Sequence, residues 1–508
     1  MATLADIFSH KSTSPAIIIP ESGPELSYSQ LYEQIKSFQQ QIIKKCNIKP
    51  QDAIAIVLPN SLEFTISFLA ITLLRNIAAP LNPNYAENEF KFYIDDSKSK
   101  VMIVPKGWVN QNKPAVQAAK AFSVVIFEIS WDNHSQKIHL DIQSGNPKGG
   151  KFETRDPHPS DVALLLHTSG TTGRPKGVPL THRNITTTMS NIINTYKLVP
   201  SDRTLLVMPL FHVHGLIGGM LSTLLSGGTV VIPPRFSATD FWKHFLQHGC
   251  TWYTAVPTIH QILLRHPLPS GGAPKLRFIR SCSSSLAPST LEELEKVYKA
   301  PVLEAYAMTE AAHQMTSNPL PPLPHKPGSV GIGQGVQVTI LDQNGNPTEE
   351  GEVCIKGVNV TPGYLNNQSA NESSFTKDGW FRTGDQGKFD KDGYLFLTGR
   401  IKELINRGGE KISPLEIDSV LLSHPSISEA VSFAVPDKMY GQEVHATVIL
   451  KKGQQITEKE LQDYCGKYLV KFKIPKKIYF TDVMPKTATG KIQRKNISKK
   501  FFKPQAKL

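Results

Sequence analysis

An α/β fold in more than one domain is predicted on three observations. The chain has 508 residues, too many for one hydrophobic core, so it divides into two or more domains, one of them large. Helix-spaced and strand-like apolar patterns alternate through roughly the first 150 residues, the order expected when packed helices connect strands. At 164–178 the sequence LLLHTSGTTGRPKGV passes from an apolar strand into a loop built almost wholly from Thr, Ser, Gly, Pro and Lys.

In chain order, residues 28–43 carry Leu31, Ile35, Phe38 and Ile42 at three- and four-residue spacing, which makes them one face of a helix. Residues 53–58 are a buried-strand run closed by Pro59-Asn60, residues 62–74 an apolar helix, and residues 78–83 a strand end with a turn. Residues 106–150 read as polar and irregular, with Asn146-Pro147-Lys148-Gly149-Gly150 as surface linker. Residues 162–166 form a short, continuously apolar strand. Thr181-His182-Arg183-Asn184 is a helix start, and residues 205–210 are a strand that delivers Phe211-His212-Val213-His214-Gly215. Asp378-Gly379 and Asp392-Gly393 are turn signals, and strand runs at 430–435 and 445–450 belong to a separate C-terminal unit.

Composition narrows the class. Charged residues make up 19% and hydrophobic residues 40%, and no apolar run approaches the length of a membrane span, so none is expected. The opening MATLADIFSHKSTSP lacks a basic region followed by a long apolar one, and no secretory leader is expected. Cys46, Cys250, Cys282, Cys354 and Cys465 are odd in number and show no metal-ligand spacing, which argues for a reducing compartment and against zinc. The net charge of +13 admits a nucleic-acid partner, but the lysines are spread out and thicken mainly after Lys467. A solvated basic face, or attraction for small polyanions, is the simpler reading.

The loop at 168–176 offers backbone N–H groups and four hydroxyl side chains, with Gly170 and Gly173 permitting close approach and Lys176 adding a mobile charge. It is not a Walker loop: counting on from Gly170, the position that needs glycine holds Pro175, and Gly177-Val178-Pro179-Leu180 continues extended rather than helical. A hairpin loop without a ligand is the alternative. His212 and His214 at a strand exit have the spacing of metal ligands but no Cys, Asp or Glu nearby to complete a site, and packing is the other reading for His214.

TSGTTGRPKGV resembles the signature of the adenylate-forming superfamily of acyl-CoA synthetases, luciferases and peptide-synthetase adenylation domains. Further motifs carry the likeness across nearly the whole chain: LEAYAMTE at 303–310, GWFRTGD at 379–385, GRIKE at 399–403, NRGGEK at 406–411 and PKTATGKIQR at 485–494. The resemblance implies an α/β architecture: a large N-terminal domain of layered mixed sheets and helices with a small barrel-like subdomain over 1–398, a hinge at 399–403, and a small mobile α+β C-terminal domain over 404–508. It implies ATP, Mg²⁺ and coenzyme A, with a carboxylic acid as the small-molecule partner.

Carried over position by position, Thr168, Ser169, Gly170, Thr171, Thr172, Gly173 and Lys176 would cradle phosphate, and Ser283, Ser284, Glu304, Ala305, Tyr306, Asp385 and Arg400 would complete the nucleotide site. Tyr306 would stack on adenine, Asp385 would bind the ribose hydroxyls, and Thr309 would touch the α-phosphate. Glu310, with Thr172, would hold the metal. Lys491, Thr309, Glu310 and Lys176 would be catalytic, Lys402 the pivot, and Gly408 and Gly409 the CoA tunnel. Ala305 and Ala307 stand where relatives have glycines, and Cys282-Ser283-Ser284-Ser285 replaces a Gly-Ala-Ala/Pro type turn.

The stretches LFHVHGL, WYTAVPTIHQI, RFIRSCSSSLAP, EAYAMTEAAHQM and HKPGSVG are similar to those of plant and fungal oxalate-CoA ligases. His212, His214, Ser283, Ser284 and His313 would then face the acid, and hydroxyl and imidazole groups suit a small polar acid better than an apolar tail. A 4-coumarate-like or medium-chain fatty acid ligase is the alternative, and a basic RNA-binding protein retaining the fold is the alternative of another class. Ala506-Lys507-Leu508 resembles a peroxisomal address, so binding to an import receptor and residence in the peroxisome matrix are expected, with cytoplasm as the alternative.

Overall fold

The computed structural model describes residues 2–9, 13–144, 149, 156–168, 174–487 and 490–501. Ser169, Gly170, Thr171, Thr172 and Gly173 of the glycine loop, and Ala506, Lys507 and Leu508, lie outside the described residues.

Two large sheets build the N-terminal part. In the seven-stranded sheet, Ala53–Ile56 lies between Ile77–Pro80 and Val101–Pro105, both parallel to it, and Val162–Thr168 is next beyond Ile77–Pro80. Strand Val162–Thr168 pairs antiparallel with Lys176–Thr181, with Thr168 opposite Lys176. The nine-stranded sheet contains Trp252–Ala255, Phe278–Cys282 and Val302–Met308 in parallel, followed by antiparallel His313–Ser317.

Helix Tyr28–Lys45 buries Leu31, Ile35, Phe38 and Ile42, the face anticipated from spacing, and its N-cap Ser27 forms a capping box with Gln30. Helix Leu62–Leu73 is buried nearly all round, as an apolar helix between sheets must be. Helix His182–Tyr196 starts where expected: the Thr181 hydroxyl accepts from Asn184 N–H, and Asn184 accepts from Thr181 N–H in return.

Two readings are corrected. Residues 106–144 are not irregular: they hold helix Pro114–Ala121 and an antiparallel pair, Val125–Asp132 with Lys137–Ser144, while Asn146, Pro147, Lys148 and Gly150 of the expected linker lie outside the described residues. The pair is an edge hairpin that buries Ile126, Phe127, Ile129, Ile138 and Leu140, while backbone groups of Gln136, Ile138 and Leu140 bond Gln34 and Gln41 of the first long helix. The strand expected at 205–210 is Arg203–Leu205; regular pairing stops there, and Pro209 lacks the N–H that a continuing ladder requires.

The third sheet is antiparallel and four-stranded, Gln337–Leu341, Glu350–Lys356, Phe381–Phe389 and Leu395–Arg400 in that order. Its last strand also bonds backbone outside the sheet, Leu395 pairing with Val330 and Gly331. A short turn, Ile401–Glu403, leads into the C-terminal unit, a five-stranded sheet with helices Pro414–Leu422, Glu458–Cys465 and Arg494–Phe501 around its own apolar core. All five cysteines are free and buried, and no described helix is long and apolar enough to cross a membrane.

Candidate active site

A cavity of about 350 Å³ lies between the two parts. Ser283, Ser284, Glu304, Ala305, Tyr306, Asp385 and Arg400 line it from one side, Gly490 and Lys491 from the other. Strand Val302–Met308 supplies Glu304, Ala305 and Tyr306, held between its two neighbours with Ser281 opposite Glu304 and Thr316 opposite Tyr306.

Glu304 is fully buried. Its Oε1 accepts from Leu286 N–H at 2.8 Å, its Oε2 has no partner among the described residues, and burial pushes its carboxyl up to about 8. A buried polar atom aimed at a cavity implies a ligand group that would satisfy it. The Tyr306 hydroxyl donates to Asp385 Oδ2 at 2.5 Å, and Arg400 Nε donates to Asp385 Oδ1 at 2.9 Å. Asp385 sits at the middle of strand Phe381–Phe389, paired with Arg400 and preceded by Gly384, which takes φ +76°, a value that favours glycine.

Thr309 and Glu310 occupy the short turn Thr309–Ala311 and are buried. Burial raises the Glu310 carboxyl, and Tyr364, which donates to its Oε1 at 2.8 Å, opposes that rise. The Lys176 amine stands 4.3 Å over the same Tyr364 ring. Tyr364 escaped the sequence reading; the only signal was an aromatic residue after Pro362-Gly363, an ordinary turn by composition. A single buried carboxylate suits a hard cation whose other oxygens come from phosphate and water, and no cluster of three or more His, Cys, Asp or Glu able to hold a metal occurs among the described residues.

Lys491 is delivered by a tight turn in which Thr487 N–H donates to Lys491 O at 2.7 Å. Gly490 takes φ +81° and packs on the N-terminal part, where a Cβ would lie 3.0 Å from Thr258 Oγ1. Burial, and then the Arg400 charge, lower the Lys491 amine, while Asp385 and Glu310 oppose this. Its charge also reaches His212, His214 and His313.

The three histidines are set one layer back from the cavity lining. His214 has both nitrogens engaged, Nδ1 with Ser283 Oγ at 3.0 Å and Nε2 with Thr254 Oγ1 at 2.6 Å. Its ring stacks on that of His313 with centroids 5.3 Å apart, and neither His313 nitrogen has a partner among the described residues. Burial holds His212 down to about 3 and keeps His214 and His313 well below their usual range, so all three are neutral at physiological pH. His313 at φ 110° and Ser283 at φ 75° are non-glycine residues in left-handed backbone, a cost that clusters at functional positions.

Gly408 and Gly409 form the turn between Ile405–Arg407 and Glu410–Ile412, with Gly408 against Tyr440, and do not line the cavity. Lys402 lies in the turn Ile401–Glu403 that joins the two parts.

The family description AMP-binding enzyme matches residues 8–365, and AMP-binding enzyme C-terminal domain matches residues 416–491. An oxalate–CoA ligase of Saccharomyces cerevisiae is 51% identical over 99% of this chain and 97% of its own. An oxalate–CoA ligase of Arabidopsis thaliana is 50% identical over 94% of each. Among solved structures, the o-succinylbenzoate coenzyme A synthetase of Bacillus subtilis, in complex with ATP and magnesium ion, superposes with a TM-score of 0.82 at 29% identity, covering 97% of this chain and 98% of that one.

Proposed function

Because the chain belongs to the AMP-binding enzyme family and is an AMP-forming acid–CoA ligase, we propose that the acid it activates is oxalate. The observation that carries the proposal is the polar character of the cavity end beside Lys491: the Ser283 and Ser284 hydroxyls line it, and the stacked pair His214 and His313 backs it. A long apolar acid would leave the His313 nitrogens without a partner, which is costly in a buried site. A small dianion would engage them.

A carboxylate is a poor electrophile until its oxygen becomes a leaving group. One oxalate oxygen attacks the α-phosphorus of ATP, the bond from that phosphorus to the bridging oxygen breaks, and pyrophosphate departs. The CoA thiolate then attacks the carbonyl carbon of the mixed anhydride and AMP leaves with the oxygen. In this reading Lys491 and Lys176 offset the negative charge gathered by bringing two anions together. Tyr306 covers adenine, Glu304 meets its polar edge, Asp385 receives the ribose hydroxyls, and Thr309 contacts the α-phosphate. Glu310 would hold Mg²⁺, which supplies positive charge to the phosphates; Thr172, its expected companion, is outside the described residues. For the second step the small domain turns about Lys402, withdrawing Lys491 and bringing Gly408 and Gly409 to the cavity.

The test is an acid panel with ATP, Mg²⁺ and CoA, following AMP release with oxalate, malonate, acetate, octanoate and 4-coumarate. Turnover confined to oxalate is expected. Preference for octanoate or 4-coumarate would overturn the substrate and leave the ligase chemistry standing.

A further inference from the structure

Behind the acid end of the cavity lies a buried cation that the reaction as described does not use. Arg280, on strand Phe278–Cys282, is completely inaccessible to solvent. Its guanidinium donates to Tyr196 Oη at 2.9 Å, to Gln314 Oε1 at 3.1 Å and to Thr254 Oγ1 at 3.1 Å, and the Cys282 thiol lies beside it. The three acceptors are a phenol, an amide and an alcohol, with no carboxylate among them. A guanidinium keeps its proton in a protein, and burying it without a counter-charge is unfavourable, so the arrangement leaves a positive field in a low-dielectric region.

The hydrogen bonds give that field a direction. A guanidinium only donates, so the Arg280 Nη1–H bond occupies a lone pair of Thr254 Oγ1. One arrangement of the pair then sends the Thr254 hydroxyl hydrogen to His214 Nε2, 2.6 Å away. In that arrangement neutral His214 carries its proton on Nδ1 and donates it to Ser283 Oγ at 3.0 Å. With its oxygen so engaged, Ser283 turns its own hydrogen toward the cavity it lines beside Lys491. Each bond in such a chain polarises the next.

We propose that Arg280 is a specificity-determining residue, acting through Thr254, His214 and Ser283 to favour an acid that carries a second negative charge at the end away from the reacting carboxylate. Arg280 touches neither acid nor nucleotide and is a positioning residue; the contact is made by the Ser283 hydroxyl. This rests on the reading of the acid as oxalate and explains how a wall of neutral groups would select a dianion. The same charge, after burial, contributes to keeping His214 and His313 neutral.

The experiment compares oxalate with oxamate, which has the same shape but one carboxylate replaced by a neutral amide, in the wild type and in Arg280→Met, Arg280→Lys and Thr254→Val. Pyrophosphate release gives kcat and KM for each acid, and the KM for ATP and the melting temperature report the fold. The wild type should prefer oxalate. In Arg280→Met the oxalate-to-oxamate ratio of kcat/KM should fall about tenfold or more, through KM for oxalate, consistent with the loss of hydrogen bonding backed by a charge. Arg280→Lys should recover part of it, and Thr254→Val, which cuts the chain while keeping Arg280, should imitate Arg280→Met. An unchanged ratio in folded Arg280→Met, or equal losses on both acids, would overturn the proposal. If Arg280→Met does not fold, an unchanged ratio in Thr254→Val overturns it. A wild type that ignores oxalate would instead overturn the substrate reading, and this inference with it.

Discussion

Glu304 holds its proton in the folded chain up to about pH 8, against 4.5 for an unperturbed glutamate. Between those values the folded state binds more protons than the unfolded state, so this carboxyl's stabilising share is complete below 4.5 and is lost as pH rises through about 8. Glu304→Gln should flatten the fall of melting temperature between pH 5 and 8, a slope worth at most about 1.4 kcal/mol per pH unit; an identical slope in the variant would refute the assignment. Lys491→Ala should slow pyrophosphate release by roughly 10²–10³-fold, the scale of losing one aimed electrostatic contact. It should still convert supplied acyl-adenylate and CoA to thioester, and equal loss of both steps would show that Lys491 is not confined to the first. The positions Tyr306, Asp385, Arg400 and Lys491 could be read from short motifs, because each motif is local in sequence. Arg280, Thr254 and Tyr364 could not, since their meaning arises from partners 34, 40 and 54 residues distant: Gln314, His214 and Glu310.

Among the elements, the π-helical turn His214–Leu221 packs behind the acid end, where His214 bonds Ser283. Its Gly218 leaves room for His313: a Cβ there would lie 2.4 Å from His313 Nε2. Gly218→Ala should therefore displace the His313 ring, raising KM for the acid while the KM for ATP stays unchanged; an unaltered acid KM would separate His313 from the acid site. The helices Tyr28–Lys45 and His182–Tyr196 were legible because apolar spacing and capping residues act within a few positions. The hairpin Val125–Asp132 with Lys137–Ser144 was not, because its polar outer face and its dependence on Gln34 and Gln41 disguise it as a loop. The strand Val162–Thr168 that leads into the glycine loop was legible from its apolar run, while Ser169, Gly170, Thr171, Thr172 and Gly173 lie outside the described residues.

At the scale of the molecule, the cavity exists because two parts close on it, and Lys491 reaches the nucleotide side only in this relative placement. Arg265 of the N-terminal part donates to Ser428 of the C-terminal part across the same interface. Arg265→Cys with Ser428→Cys, bridged by a short bis-maleimide and identified by peptide mass spectrometry, should hold this placement. The bridged protein should release pyrophosphate but fail to form thioester; thioester formation at the unbridged rate would contradict rotation about Lys402. Motif order along the chain made the two parts legible, whereas their closure depends on contacts such as Gly490 with Thr258 that no local pattern announces. The central claim is that this chain adenylates oxalate, and ATP–pyrophosphate exchange with oxalate in the absence of CoA tests it most directly. Oxalate-dependent exchange that disappears in Lys491→Ala is the predicted result; exchange driven by another acid but not by oxalate would contradict it.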